Sequence, residues 1–126
     1  MIKSLSLEGI KAIHAYQIKT YNGTAGIRDQ NLLESALAQP LIEIQFTGAS
    51  IYRMAACYWY HLNQNHPFID GNKRTAFATM YAFLRINGIE LLCDEEEAYT
   101  MVLDIIAHKK GKDDLEAWLE GVTRQL

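Results

Sequence analysis

The chain has 126 residues, of which 49% are hydrophobic, with two Pro, eight Gly, two Cys, a formal charge of −3 and a sequence pI of about 5.8. These values fit a single domain with a full hydrophobic core. They speak against a disordered chain and against a generic nucleic-acid surface, which needs a basic patch. Two isolated thiols, an N-terminus without a signal-like apolar run and the lack of any stretch of about eighteen apolar residues imply a reducing, cytoplasmic setting and no membrane span.

Residues 6–21 are predicted as a helix, because Leu7, Ile10, Ile13, His14, Gln17, Ile18 and Tyr21 recur on one face. Ser6 or Ser4 suits its N-cap. His14 lies on the apolar face, where a satisfied core histidine is favoured over a ligand. Tyr21 to Gly26 has loop chemistry, with two glycines and an asparagine. Asp29 can cap a helix from Gln30 to about Ala38, which Pro40 should stop. Arg28, beside that helix start, is read evenly as a surface ion pair or as an active-site cation. Leu41-Ile42-Glu43-Ile44-Gln45-Phe46 alternates loosely and is predicted as an exposed strand or hairpin arm able to pair with a peptide, or as a plain connector.

Ile51–Leu62 and Thr75–Leu84 are nearly uninterrupted apolar runs and read as two buried helices. Asn87-Gly88 supplies a left-handed helix end. Ile89–Leu92 is a short extended candidate. Asp94 caps a further helix whose acids come first and whose His108, Lys109 and Lys110 come last, an order that suits the helix dipole. Asp113 and Asp114 open a final helix with Leu115, Trp118, Leu119 and Val122 on one side. Buried Cys57 reads as a small hydrophobe. The pattern predicts an all-α compact bundle with one small β-hairpin.

Between the two core helices lies His66-Pro67-Phe68-Ile69-Asp70-Gly71-Asn72-Lys73-Arg74. A polar cluster set between buried helices is costly unless function requires it. A helix starting at Gly71-Asn72 presents free N–H groups and the positive dipole end, which together make an anion site. Gly71 lets a phosphate approach the backbone. Lys73 and Arg74 stand where the dipole repels cations, so an anionic ligand is their natural complement. Asp70 beside a phosphate suggests Mg²⁺ held by one carboxylate plus phosphate oxygens and water. His66 has the pKa range of a general base for a hydroxyl. Phe68 would plug the loop into the core, and Pro67 would end the preceding helix. Each residue alone has an ordinary structural explanation, and their concentration in nine residues favours phosphate chemistry. There is no P-loop pattern and no protein-kinase signature set.

The nine residues resemble the Fic/Doc motif H-P-F-x-[D/E]-G-N-x-R, matched by His66, Pro67, Phe68, Asp70, Gly71, Asn72 and Arg74. The lysine form, together with GIRDQNLLESALAQP upstream and FLRINGI downstream, is similar to the death-on-curing (Doc) toxin branch over nearly the whole chain. The resemblance implies the Fic helical core, with Leu41 to Phe46 as a flap that holds a target peptide by strand pairing. It implies His66 as general base, Asp70 as the Mg²⁺ ligand, and Gly71, Asn72, Lys73 and Arg74 as the phosphate cradle for ATP. Two positions depart from the AMP-transferring branch: Lys73 replaces a glycine and Phe77 an arginine. Lysine fills space that an α-phosphate would use, so the resemblance favours transfer of the γ-phosphate to a hydroxyl of a translation factor, with AMP transfer as the alternative. An RNA-directed toxin is disfavoured by the acidic pI, and a catalytically idle antitoxin-binding module by the intact motif. A separate antitoxin protein is implied as the restraining partner. Ser4-Leu5-Ser6-Leu7-Glu8-Gly9 fits a self-inhibitory [S/T]-x-x-x-E-[G/N] pattern, although Ser6 and Glu8 also make sense as ordinary first-turn residues.

Overall fold

A computed structural model describes residues 1–126 as six helices and two short strands. In order these are α1 (Leu7–Tyr21), α2 (Gln30–Thr47), α3 (Ile51–Asn65), α4 (Asn72–Ile86), β1 (Ile89–Leu91), α5 (Glu95–Ile106), α6 (Lys112–Gly121) and β2 (Thr123–Gln125). Four helices start on a side-chain cap. Ser6, Asp29, Ser50 and Asp94 accept the N–H groups of Gly9, Leu32, Arg53 and Glu97 at 2.8–3.2 Å. At α6, Asp114 reaches back to the Gly111 N–H at 2.9 Å. The start of α4 has no side-chain cap at all.

Helix α3 is the centre of the molecule. Met54 through Trp59 are all at most 1% exposed, so the helix is buried on every side, as its apolar sequence requires. It packs against α2, α4, α5 and α6, while α1 lies against α4. Phe83, Leu84, Ile105, Leu115 and Leu119 close the core from α4, α5 and α6. Cys57 and Cys93 are free, and burial pushes the Cys57 thiol up to about 11, as expected of an inert small hydrophobe.

Two expectations are overturned. Helix α2 does not stop at Pro40; it runs through it to Thr47, so Leu41, Ile42, Glu43, Ile44, Gln45 and Phe46 are helical and cannot act as a strand-pairing flap. The loose alternation of 41–46 hid a continuing helical period: Leu33, Ala36 and Pro40 are buried on one face and Ile44 packs against the core one turn on. Proline removes one backbone bond, but tertiary packing of that face outweighs the loss. The side chain of Glu43 is pinned by Arg53 at 3.2 Å and by Lys112 at 3.1 Å. The second correction concerns the small sheet. It is not a hairpin: β1 pairs antiparallel with the C-terminal β2, in the register Ile89↔Gln125, Glu90↔Arg124 and Leu91↔Thr123.

Candidate active site

Helix α3 ends at Asn65, and His66 follows it in the left-handed region at φ 47°, ψ 55°. The chain then turns through Pro67–Asp70 into α4, whose N-cap Gly71 is also left-handed at φ 76°. A side chain at Gly71 would be strained there and would meet Ile18 Cδ1 at 3.1 Å. The connection is pinned from beneath. Phe68 is 1% exposed and stacks on the His14 ring at 3.8 Å and 7°. Nε2 of His14 lies 2.9 Å from the Asp70 carbonyl. A carbonyl only accepts, so this ring nitrogen carries a proton. His14 is thus a satisfied core histidine that supports the loop.

Asn72 is turned inward. Its side-chain carbonyl accepts the Phe68 N–H at 3.0 Å, and its amide donates to the Phe68 carbonyl at 2.9 Å. The same amide lies 3.4 Å from His66 Nδ1, long for a hydrogen bond. What Asn72 offers to solvent is therefore its backbone N–H. The N–H groups of Asn72, Lys73 and Arg74 have no acceptor in the protein; the first residue of α4 to be satisfied from outside the helix is Thr75, bonded to the Gly71 carbonyl at 2.9 Å.

On the outer side, a segment the sequence reading treated as a plain loop clamps the connection. Ile27 bridges Phe68 antiparallel, and the Ile69 N–H donates to the Gly26 carbonyl at 3.0 Å. The N–H groups of Arg28 and Asp29 both donate to the Pro67 carbonyl, at 2.7 and 3.1 Å. Thr24 N–H donates to Asp70 Oδ2 at 3.0 Å, and Gly71 N–H to Asp70 Oδ1 at 2.8 Å. These two bonds hold the exposed Asp70 carboxyl below its ordinary range, so it is ionised at neutral pH. Arg28 makes no ion pair; its guanidinium donates to the carbonyls of Asn65 and His66. Contacts between residues about forty apart leave no local signal, so sequence reasoning could flag Arg28 but not find its partners.

Neither cation at the start of α4 makes an ion pair, although Glu95 and Glu96 line the same groove. The molecule's ion pairs involve Lys11, Arg53, Lys112 and Arg124, never Lys73 or Arg74. Arg74 instead lies 3.9 Å over the Tyr21 ring, a cation–π contact. Exposed His66 joins Ile69, Asp70, Gly71, Asn72, Lys73 and Arg74 around a cleft of about 300 Å³. A groove of about 820 Å³ between α1, α4 and α5 shares Lys73 and Arg74 and continues past Tyr21, Phe77, Tyr81 and Tyr99.

The structure therefore brings together all the motif residues singled out in the sequence, with Phe68 behind them, and leaves out Leu41 to Phe46. Glu43 is held against the flank of α3 by Arg53 and, through Lys112, beside His61, and none of residues 41–46 lines the cleft. The one strand-like bridge beside the cleft is made by Ile27 with Phe68. The Ser4–Gly9 pattern is also remote. Glu8 lies in the first turn of α1 and pairs with Lys11 at 3.8 Å, whereas Arg74 meets Tyr21 at the helix's far end, on the order of 20 Å away. Ser6 acts as an ordinary cap.

No group of three or more His, Cys, Asp or Glu side chains converges anywhere in the molecule, so the protein by itself forms no metal cage. Asp70 is one exposed, ionised carboxylate beside free N–H donors. That fits a divalent cation carried in largely by phosphate oxygens and water.

A model of the Fic/DOC family matches residues 4–84. The chain is 32% identical over 105 residues to Toxin Doc of Mycolicibacterium smegmatis, covering 80% of this chain and 81% of that protein. It is 28% identical over 98 residues to Protein kinase doc of Escherichia phage P1, covering 77% and 78%. Among solved structures, it superposes on the N-terminal Fic domain of a VirB-translocated Bep effector protein from Bartonella quintana with bound ADP, at a TM-score of 0.53 and 20% identity; the match covers 76% of this chain and 47% of that one. A second structure of that domain gives a TM-score of 0.52.

Proposed function

Because the chain belongs to the Fic/Doc family, we propose that it is a toxin enzyme that moves the γ-phosphate of ATP onto a side-chain hydroxyl of a target protein, a translation factor, and that a separate antitoxin protein restrains it. The observation that carries this reading is the start of α4: three free backbone N–H groups and two cations without acid partners, beside an exposed histidine. Such a site is complementary to a polyphosphate.

In this reading the N–H groups of Asn72, Lys73 and Arg74, with the side chains of Lys73 and Arg74, bind the nucleotide's phosphates. Gly71 keeps the approach open. His66 takes the proton from the incoming hydroxyl. The hydroxyl oxygen bonds to the γ-phosphorus as the bridging oxygen–phosphorus bond breaks, and ADP leaves. Asp70 would hold Mg²⁺, which neutralises charge building on the phosphate oxygens. Ile27, which bridges Phe68 beside the cleft, and not segment 41–46, supplies strand-like backbone against which a target peptide can lie. The aromatic groove past Tyr21 and Tyr99 gives the nucleoside or an antitoxin segment a surface continuous with the phosphate site.

Lys73 and Phe77 favour phosphoryl over nucleotidyl transfer, since by the family resemblance a lysine replaces the glycine that leaves room for an α-phosphate and no second arginine stands one turn on. The test is incubation with a cell extract and ATP labelled at either the α- or the γ-phosphate. Protein labelled only from the γ position is the expected result. Label from the α position would make the reaction AMP transfer, and no label together with no calorimetric binding of Mg²⁺-ATP would make the chain a binding module.

A further inference from the structure

We infer that Arg28 is the positioning residue for His66, acting on the backbone of the base and not on the nucleotide. This rests on the reading of His66 as the general base. Three consecutive carbonyls at the end of α3 accept hydrogen bonds from this one residue. The Nε–H of Arg28 donates to the His66 carbonyl at 2.7 Å, its Nη2–H to the Asn65 carbonyl at 2.8 Å, and its backbone N–H to the Pro67 carbonyl at 2.7 Å.

The arrangement answers a specific need. The left-handed region is strained for a residue with a Cβ, and His66 is such a residue at φ 47°. The last carbonyls of a helix also lack internal partners and carry the negative dipole end. A guanidinium presents donors in a rigid planar fork, and here the fork spans the peptide carbonyls on both sides of the His66 Cα. It satisfies the helix end and fixes the backbone dihedrals from which the imidazole is aimed. The ring itself has only the loose 3.4 Å contact with Asn72, so its direction is set chiefly from the backbone.

Other roles for Arg28 fit less well. No carboxylate lies within ion-pair distance of it. Two of its guanidinium nitrogens are already committed to carbonyls, and it does not line the cleft. The side chain is exposed, so its loss should weigh little on global stability.

The experiment compares wild type with Arg28→Lys and Arg28→Gln. It measures the initial rate of γ-label transfer across ATP concentrations, calorimetric binding of Mg²⁺-ATP, thermal melting, and the NMR signals of the His66 ring. In both variants the apparent kcat should fall on the order of 10- to 100-fold, the scale of a misplaced catalytic group, while nucleotide affinity stays within about twofold and melting changes little. The His66 ring signals should shift or broaden in both. Lysine should not rescue, since a single ammonium cannot reproduce the fork. Recovery of the rate by Arg28→Lys, a loss confined to nucleotide affinity, or unchanged His66 signals would overturn the inference. If wild type itself transfers no label, the functional reading fails separately, and the His66 signals in the two variants still decide the positioning role.

Discussion

The two residues that bracket the α3–α4 connection divide the work differently from what their chemistry suggests. His66, a residue type that often ends in a core, is exposed at the cleft. Asn72, a good phosphate ligand on paper, is buried and bonded to both backbone groups of Phe68. Their substitutions should therefore separate. His66→Ala should lower transfer by roughly 10²-fold or more, the scale of losing a general base, with an unchanged urea midpoint. Asn72→Ala should lower the urea-unfolding free energy by roughly 1–3 kcal/mol, because it strands a buried N–H and C=O, and should lower transfer as well. A His66→Ala enzyme that keeps its rate, or an Asn72→Ala protein with wild-type stability, would contradict these assignments. The residue types of the site were legible in the sequence because they crowd into nine positions. The inward turn of Asn72 was not, because it depends on how the loop folds back on its own helix.

At the scale of elements, the connection between α3 and α4 keeps its shape because a second loop is laid across it. Gly26 is the tightest point of that overlay. It sits at φ 130°, and a Cβ there would come within 2.6 Å of Ile69 Cδ1. Gly26→Ala should therefore lower the unfolding free energy by roughly 1–3 kcal/mol of backbone strain, seen as a lower melting temperature, and should raise hydrogen exchange at Ile69 and Thr24, whose N–H groups bond across the overlay. Exchange at those amides as slow as in wild type would show that the overlay does not depend on this glycine. Element identity was read correctly where one physical signal dominated: the apolar runs of α3 and α4, and the caps Ser6, Asp29 and Asp94. It was misread where two signals competed. At 38–47 a proline and a local alternation outvoted a helical period that packing in fact enforces. Strand β2 escaped because three residues at a chain end become a strand only through Ile89–Leu91, more than thirty positions earlier.

The whole molecule is organised along α3, with the proposed phosphate site at its C-terminal end and a charged network along its flank from Arg53 to His61. Arg53 bonds Glu43, Asp113 and Glu116, and Lys112 bridges Glu43 and His61 Nε2 at 3.1 Å each, so the network joins α2, α3 and the start of α6. Burial works against the Glu43 carboxyl being charged, but the hydrogen bonds from Arg53 and Lys112 hold it below its ordinary range. The His61 ring must accept from the Lys112 ammonium, so it is neutral, and burial, reinforced by that neighbouring cation, pushes its pKa down to about 4. An unfolded chain would protonate the same ring near pH 6.5. Between those values the unfolded state binds more protons, so stability falls as pH drops from about 6.5 towards 4, and this residue contributes no slope above that window. After discounting for its partial exposure, the loss should be on the order of 1–2 kcal/mol. Urea unfolding at pH 7 and pH 5 should show a drop for wild type that is smaller in His61→Gln, where the side-chain carbonyl can still accept from Lys112 but takes up no proton. Because His61 lines neither the cleft nor the groove and is turned towards Lys112 of α6, the nucleotide affinity of His61→Gln at pH 7 should match that of wild type. An equal pH 5 loss in both proteins would place the acid sensitivity elsewhere.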